Sequence, residues 1–288
     1  MDRPLVSVVI PAYNRPGTLK IALESVLSQS YPAIEVVICD DSSNDDVKEM
    51  VQPYLKKHSF ITYVKNEQNL FLKNWHKCFD LAKGEYINYL MDDDVFHRDK
   101  IKKMIYFFES FEGISLVTSF RQTINEAGDP IAPLTATKRL FKESRIMDGR
   151  VLGDMALTQC LNIIGEPTTV LFRKSDLDEP FGVYKGNQYS LLNDLASWLG
   201  LLSKGKAAYL TEAMSYFRIH PFQNNQTLGE KTFSQWLDLI IASREGGFLR
   251  ADKDFQKALL RYRERVQHRP AFKDDLKRIT DTLNQLRS

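Results

Sequence analysis

Leu5-Val6-Ser7-Val8-Val9-Ile10-Pro11-Ala12-Tyr13-Asn14-Arg15-Pro16-Gly17 decides the fold. Its first six residues form a short β-branched run closed by Pro11, the pattern of a strand buried on both faces. A turn follows at once. Asn14 is a capping residue, Pro16 stands near the first helical position, and Leu19, Leu23, Val26 and Leu27 then recur at helical spacing. The chain therefore opens as strand, loop, helix.

Downstream the unit repeats. Glu35-Val36-Val37-Ile38-Cys39 is an apolar strand that stops at Asp40-Asp41-Ser42-Ser43-Asn44, and Val47, Met50, Val51, Tyr54 and Leu55 mark a second amphipathic helix. Residues 60–64 predict a third strand, 69–82 a third helix, and 86–91 a fourth strand ended by Asp92-Asp93-Asp94. Strands and helices alternating at this length predict an α/β fold with a mostly parallel central sheet flanked by helices. The stretch 121–150 has turn signals at Gly128-Asp129-Pro130 and weak periodicity, so loops or short strands are expected there. Beyond Gln223 the pattern is helical, with Trp236, Leu239 and Ile240 on one face and Leu276, Ile279, Leu283 and Leu286 on another. A packed C-terminal helical appendage is expected, with peripheral membrane contact or homo-oligomer formation through these helices as the alternative.

In open sheets of this kind ligands bind beyond the carboxyl ends of the strands. Three such ends carry polar clusters: Pro11 to Arg15, Asp40-Asp41, and Asp92-Asp93-Asp94. Three consecutive carboxylates at the end of a buried strand repel one another unless a cation or hydrogen-bond donors compensate. Magnesium or manganese suits such hard oxygen ligands and shares its remaining shell with phosphates. The competing readings are an exposed acidic turn before a helix at 99–111, and a helix-capping turn at Asp40-Asp41-Ser42-Ser43-Asn44.

Bulk properties exclude several classes. Hydrophobic residues make up 43% and charged residues 26% of the 288 positions, so disorder and fibrous structure are disfavoured. A net charge of +2 gives no sign of a nucleic-acid partner. Cys39, Cys78 and Cys160 lack metal-ligand or redox spacing and fit reduced thiols of a cytosolic protein. The apolar run 5–10 is too short for a signal-peptide core, and no run approaches the roughly 18 apolar residues of a membrane span. A soluble, cytoplasmic protein is expected.

Three segments also match a known pattern. Val8-Val9-Ile10-Pro11-Ala12-Tyr13-Asn14, Cys39-Asp40-Asp41-Ser42-Ser43-Asn44-Asp45, and Gly84-Glu85-Tyr86-Ile87 running into Leu90-Met91-Asp92-Asp93-Asp94 resemble the family-two inverting glycosyltransferases of GT-A fold. The likeness continues through Asn193-Asp194-Leu195-Ala196-Ser197-Trp198-Leu199 to Tyr216-Phe217-Arg218-Ile219-His220, and it spans about residues 5–225 in order. It implies a transferase domain over 1–225, with a nucleotide-binding half (1–100) and an acceptor-binding half (101–225), followed by the appendage (226–288).

Residue by residue, the resemblance implies that Pro11, Ala12, Tyr13 and Asn14 line the nucleotide pocket, that Asp40 contacts the base, and that Asp92 faces the ribose, with Asp93 and Asn69 on the same side. Asp94 corresponds to the last aspartate of the family's Asp-any-Asp signature, the ligand of a divalent metal (Mn²⁺ or Mg²⁺). His220 matches a histidine that approaches the same metal or phosphates; a structural role is the alternative. Asp194 is the implied catalytic base, taking the proton of an acceptor hydroxyl as it attacks the anomeric carbon. The implied partners are a nucleotide-sugar donor, uridine- or thymidine-linked, and a saccharide or glycolipid acceptor, in the synthesis of a bacterial surface polysaccharide or glycoconjugate. Two departures stand out: Asn193 where glutamate is common, and Phe71 where a glycine often follows the asparagine matched by Asn69. Gly165-Glu166-Pro167-Thr168 lies where the family places a loop over donor and acceptor. Competing functions are a non-catalytic nucleotide-sugar-binding scaffold and a nucleotidyltransferase, although the latter usually brings a Gly-rich phosphate loop that this sequence lacks.

Overall fold

A computed structural model describes residues 3–221 and 229–286. The first strand, β1 (Val6–Ala12), is buried along its whole length. Val8 and Ile10 enter one apolar cluster and Val9 the cluster on the opposite face, which is why the run reads as continuous rather than alternating. Helix α1 (Pro16–Leu27) begins with its proline at the first turn. Asn14 is not its cap: Arg15 holds that position without a capping bond from its side chain, and Asn14 turns back at φ 52°. Strand β2 (Ile34–Asp40), helix α2 (Asp46–Lys57), strand β3 (Ile61–Lys65), helix α3 (Leu72–Leu81) and strand β4 (Tyr86–Tyr89) complete the first half.

The second half is less regular. It holds β5 (Val95–Phe96), α4 (Lys100–Ser110), β6 (Ile114–Ile124), β7 (Arg145–Asp148), α5 (Gly149–Gln159), β8 (Leu171–Arg173), β9 (Val183–Tyr184), β10 (Asn187–Gln188), α6 (Asn193–Leu202) and β11 (Lys206–Arg218). The stretch expected to be loops or short strands contributes the end of β6, all of β7 and the first two residues of α5, with mostly irregular chain between. Helices α7 (Gly229–Glu245), α8 (Asp252–Val266) and α9 (Lys273–Gln285) close the chain. The proposed boundary between 225 and 226 lies outside the described residues.

The main sheet has the order β3-β2-β1-β4-β8-β6-β11-β5, with β7 also on β11. Strands β1, β2, β3, β4, β6 and β11 run one way, while β8, β5 and β7 run against them. The chain proceeds outward from β1 through β2 to β3, then crosses back to place β4 on the other side of β1. The connections leaving β1 and β4 thus diverge, which makes this the switch point where open α/β sheets bind their ligands. It is the place to which the acidic strand end 92–94 and the loop after β1 are both delivered. Helices α1, α2 and α4 cover one face of the sheet; α3, α5, α6 and the three C-terminal helices contribute to the cluster on the other.

Candidate active site

The β1 and β2 loops are fastened to each other first. Asn14 donates its backbone N–H to Ser42 Oγ (2.7 Å), and its side-chain oxygen accepts from Ser43 N (2.9 Å). Asparagine tolerates the left-handed conformation that this exchange requires. Pro11 and Ala12 are buried at the end of β1, and Tyr13 is about half exposed at the rim. Asp40, fully buried, accepts from Ser42 N (2.8 Å), Tyr63 OH (2.6 Å) and Lys65 Nζ (3.3 Å). Asp41 beside it accepts from Asn66 Nδ2 (2.7 Å) and from the backbone N–H groups of Leu70 and Phe71 (3.1 Å each). Asn69 stands in that segment and accepts from Phe71 N (2.8 Å), so it shapes the turn before α3.

The acidic strand end meets these loops. Asp92 accepts from Tyr13 N (2.9 Å) and from Arg15, which bridges it (3.1 Å) to Asp93 (3.0 Å). Asp93 is also 2.8 Å from His220 Nε2. Asp94 accepts from the hydroxyl of Thr168 (2.6 Å) and the backbone N–H of Arg218 (3.0 Å), while the Arg218 guanidinium donates to the Asp93 carbonyl (2.7 Å). His220 therefore faces the second aspartate of the run. Burial, with the Asp93 charge next, pushes the Asp92 carboxyl up to about 7, against Arg15 and the Tyr13 N–H. Burial and Asp93 also raise Asp94 well above the usual carboxylate range, against Thr168 and Arg218.

Arginine supplies part of the compensation that the three carboxylates demand, but it reaches Asp92 and Asp93. Asp94 receives two neutral donors, and its charge is the one a divalent cation would relieve. The donor chemistry fits magnesium or manganese: oxygen ligands few in number, the remainder left for phosphates and water. Among the described residues no group of three or more His, Cys, Asp or Glu side chains forms a cage by itself. A recess of about 560 Å³, lined by Asn125, Glu126, Ala127, Ile219, His220 and Pro221, opens beside the histidine.

Asp194 lies in the first turn of α6. One carboxylate oxygen accepts from Leu195 N (2.6 Å) and the other from Asn162 Nδ2 (2.7 Å). Burial pushes its carboxyl up to about 7; Glu166 adds to the rise, and the Leu195 N–H, Asn162 and Arg121 hold it back. A carboxyl in that range suits proton acceptance near neutrality.

A model of the family described as "Glycosyl transferase family 2" matches residues 7–177, more than half of the chain. The chain belongs to glycosyl transferase family 2. It is similar to the putative teichuronic acid biosynthesis glycosyltransferase TuaG of Bacillus subtilis, 29% identical over 227 residues that cover 75% of this chain and 80% of the relative. It is also similar to the Escherichia coli UDP-Glc:alpha-D-GlcNAc-diphosphoundecaprenol beta-1,3-glucosyltransferase WfaP, 31% identical over 218 residues, 75% of this chain and 78% of that one. Among solved structures, S. aureus TarS 1-349 in complex with UDP-GlcNAc superposes with a TM-score of 0.66 at 17% identity, covering 90% of this chain and 73% of that one. The last likeness establishes the GT-A type fold.

In this family-2 glycosyltransferase Arg15, Asp41 and Thr168 are marked by the sequence as members of the polar strand ends and of the 165–168 loop, without roles of their own; the structure ties them to Asp92, to the segment after Asn69 and to Asp94. Arg218, Asn162 and Arg121 carry no assigned role in the sequence reading: Arg218 binds Asp94, Asn162 binds Asp194, and Arg121 binds the Asn162 carbonyl. These three roles become visible only when the sheet is assembled.

Proposed function

We propose that the chain transfers a sugar from a uridine or thymidine diphosphate sugar to a hydroxyl of a saccharide or glycolipid acceptor, with inversion at the anomeric carbon and dependence on a divalent metal. One observation carries the reading: the loop after β1 and the carboxylates 92–94 meet at the β1/β4 switch point, and a single turn, 162–169, touches both Asp94 and Asp194. On the nucleotide side stand Pro11, Ala12, Tyr13, Asn14, Asp40, Asn69, Asp92 and Asp93. Asp94 would hold the metal, with His220 as a further ligand to it or to the phosphates. When bound, the ion offsets the charge that grows on the departing diphosphate, an effect worth several kcal/mol. Asp194 accepts the proton of the attacking hydroxyl. A bond forms from that oxygen to the anomeric carbon, the bond to the diphosphate oxygen breaks, and the configuration inverts.

The names of WfaP, with its diphosphoundecaprenol acceptor, and of TuaG support a role in bacterial surface polysaccharide or glycolipid synthesis. Among the described residues no helix is long and apolar enough to cross a membrane. A cytoplasmic site of action, where nucleotide sugars are made, fits this reading.

Calorimetric titration with UDP in the presence and absence of Mn²⁺ tests the metal assignment. Binding is expected to be metal-dependent and to weaken by roughly 10-fold or more in Asp94→Ala, the loss of one charged ligand. Undiminished affinity in that variant removes Asp94 from the metal site. Slow UDP release from a nucleotide sugar without acceptor separates an enzyme from a binding scaffold.

A further inference from the structure

The eight residues from Asn162 to Thr169 are tied down from every side. Arg121, on β6 and almost fully buried, donates to the carbonyls of Ala136 (2.9 Å), Asn162 (2.9 Å) and Ile163 (3.4 Å) and pairs with Glu166. Thr118 donates to the Ile164 carbonyl (2.5 Å), and Lys100, also buried, donates to that of Thr169 (3.0 Å). Gly165 sits at φ 134°, where a Cβ would come within 2.6 Å of the Thr169 side chain. One buried guanidinium is committed to this irregular turn, and a buried charge that loses its partners destabilises the fold by several kcal/mol. Burial disfavours the charged form of Lys100, which adds a hydrogen bond rather than a paired charge.

The Asn162 side chain does two things at once. Its oxygen accepts from Gly165 N (3.1 Å), and its amide donates both to the Gly165 carbonyl (3.1 Å) and to Asp194 Oδ2 (2.7 Å). Trp198, four residues after Asp194 and so on the same face of α6, donates its indole N–H to the same Gly165 carbonyl (2.8 Å). The other Asp194 oxygen is held by Leu195 N, so the carboxylate has one orientation. The charged groups that act on it from the packed elements are Glu166 on the turn and Arg121 on β6.

Building on Asp194 as the base, we infer that Asn162 is its positioning residue, fixing the carboxylate from the same rigid turn whose Thr168 hydroxyl fixes Asp94. A hydrogen bond donated to a carboxylate favours its ionised form. Loss of the Asn162 amide therefore moves the acidic limb of the pH–rate profile upward, and removal of the Glu166 charge moves it downward. Misfolding alone lowers the active fraction and leaves the limb in place.

The test is UDP release from UDP-glucose and UDP-N-acetylglucosamine with Mn²⁺, followed between about pH 5 and 9. Asn162→Ala removes both functions of the side chain; Asn162→Asp keeps the acceptor for Gly165 N and places a like charge against Asp194. Both are expected to lower kcat roughly 10-fold at neutral pH with donor KM within about 2-fold, and to raise the limb by about one unit, Asn162→Asp more than Asn162→Ala. Glu166→Gln is expected to lower it. An Asn162 variant that melts like the parent and keeps both kcat and limb overturns the inference. Asp194→Asn separates the two readings: if it abolishes release while the Asn162 variants are unchanged, the positioning role alone fails, and if it retains release, the base and its positioning residue fall together.

Discussion

Folding weakens the acidity of Asp194. Its carboxyl rises to about 7 in the folded protein, against an ordinary value near 4 in the unfolded chain, chiefly through burial. Between those values the native state keeps a proton that the unfolded state has released, so stability falls as pH rises through the window and the full penalty is present above it. Asp194→Asn mimics the protonated acid at every pH. It is expected to be more stable than the parent at pH 8, by about 1–3 kcal/mol after allowing for a group that is only partly buried, and no more stable at pH 4. Thermal or urea unfolding at the two values checks this; an equal difference at both would show that the carboxylate is not disfavoured by the fold. Turnover should move the other way, falling about 10²–10⁴-fold as expected for a lost general base, with UDP affinity retained.

Phe71 opens α3 at φ 52° and ψ −123° and is 76% exposed. That backbone region favours glycine, and a side chain there carries strain of roughly 1–3 kcal/mol. Glycine, the residue that often stands here in the resembling family, would release the strain at an entropic cost of about 0.5–1 kcal/mol. Phe71→Gly is therefore expected to stabilise the protein by about 1 kcal/mol, read as a higher urea midpoint at unchanged m-value. A lower midpoint would show that the ring makes contacts worth more than its backbone costs. The sequence made this element visible, along with the strand ends at Pro11, Asp40 and Asp92–Asp94, because β-branched runs that stop at proline or aspartate are local signals. Thr168 gave only its place in the 165–168 loop, and Asn162 gave none. Their partners lie 74 and 32 positions away, and only the strand order brings them within reach. Asn14 shows the opposite error, where a local rule for helix caps yields to a tertiary bond with Ser43.

At the scale of the molecule, one apolar cluster joins Val9, Val37 and Ile87 of the sheet to Leu199 of α6, Leu237 of α7, Leu259 of α8 and Ile279 of α9. The C-terminal helices are thereby part of a common core, and the protein is expected to unfold in a single transition seen alike by circular dichroism and tryptophan fluorescence. Ile279→Ala, which empties a fully buried position far from the site, should shift that one transition by about 2–5 kcal/mol. Two separate transitions, only one of them affected, would mean that the helices stand apart. Another long-range pairing governs biosynthesis. Asp94 and Asp93 take their partners Arg218 and His220 from 124 and 127 residues further along the chain. A nascent polypeptide on the ribosome can thus assemble its first three parallel strands long before Asp93 and Asp94 gain these partners, which reach them only after β11 has left the exit tunnel.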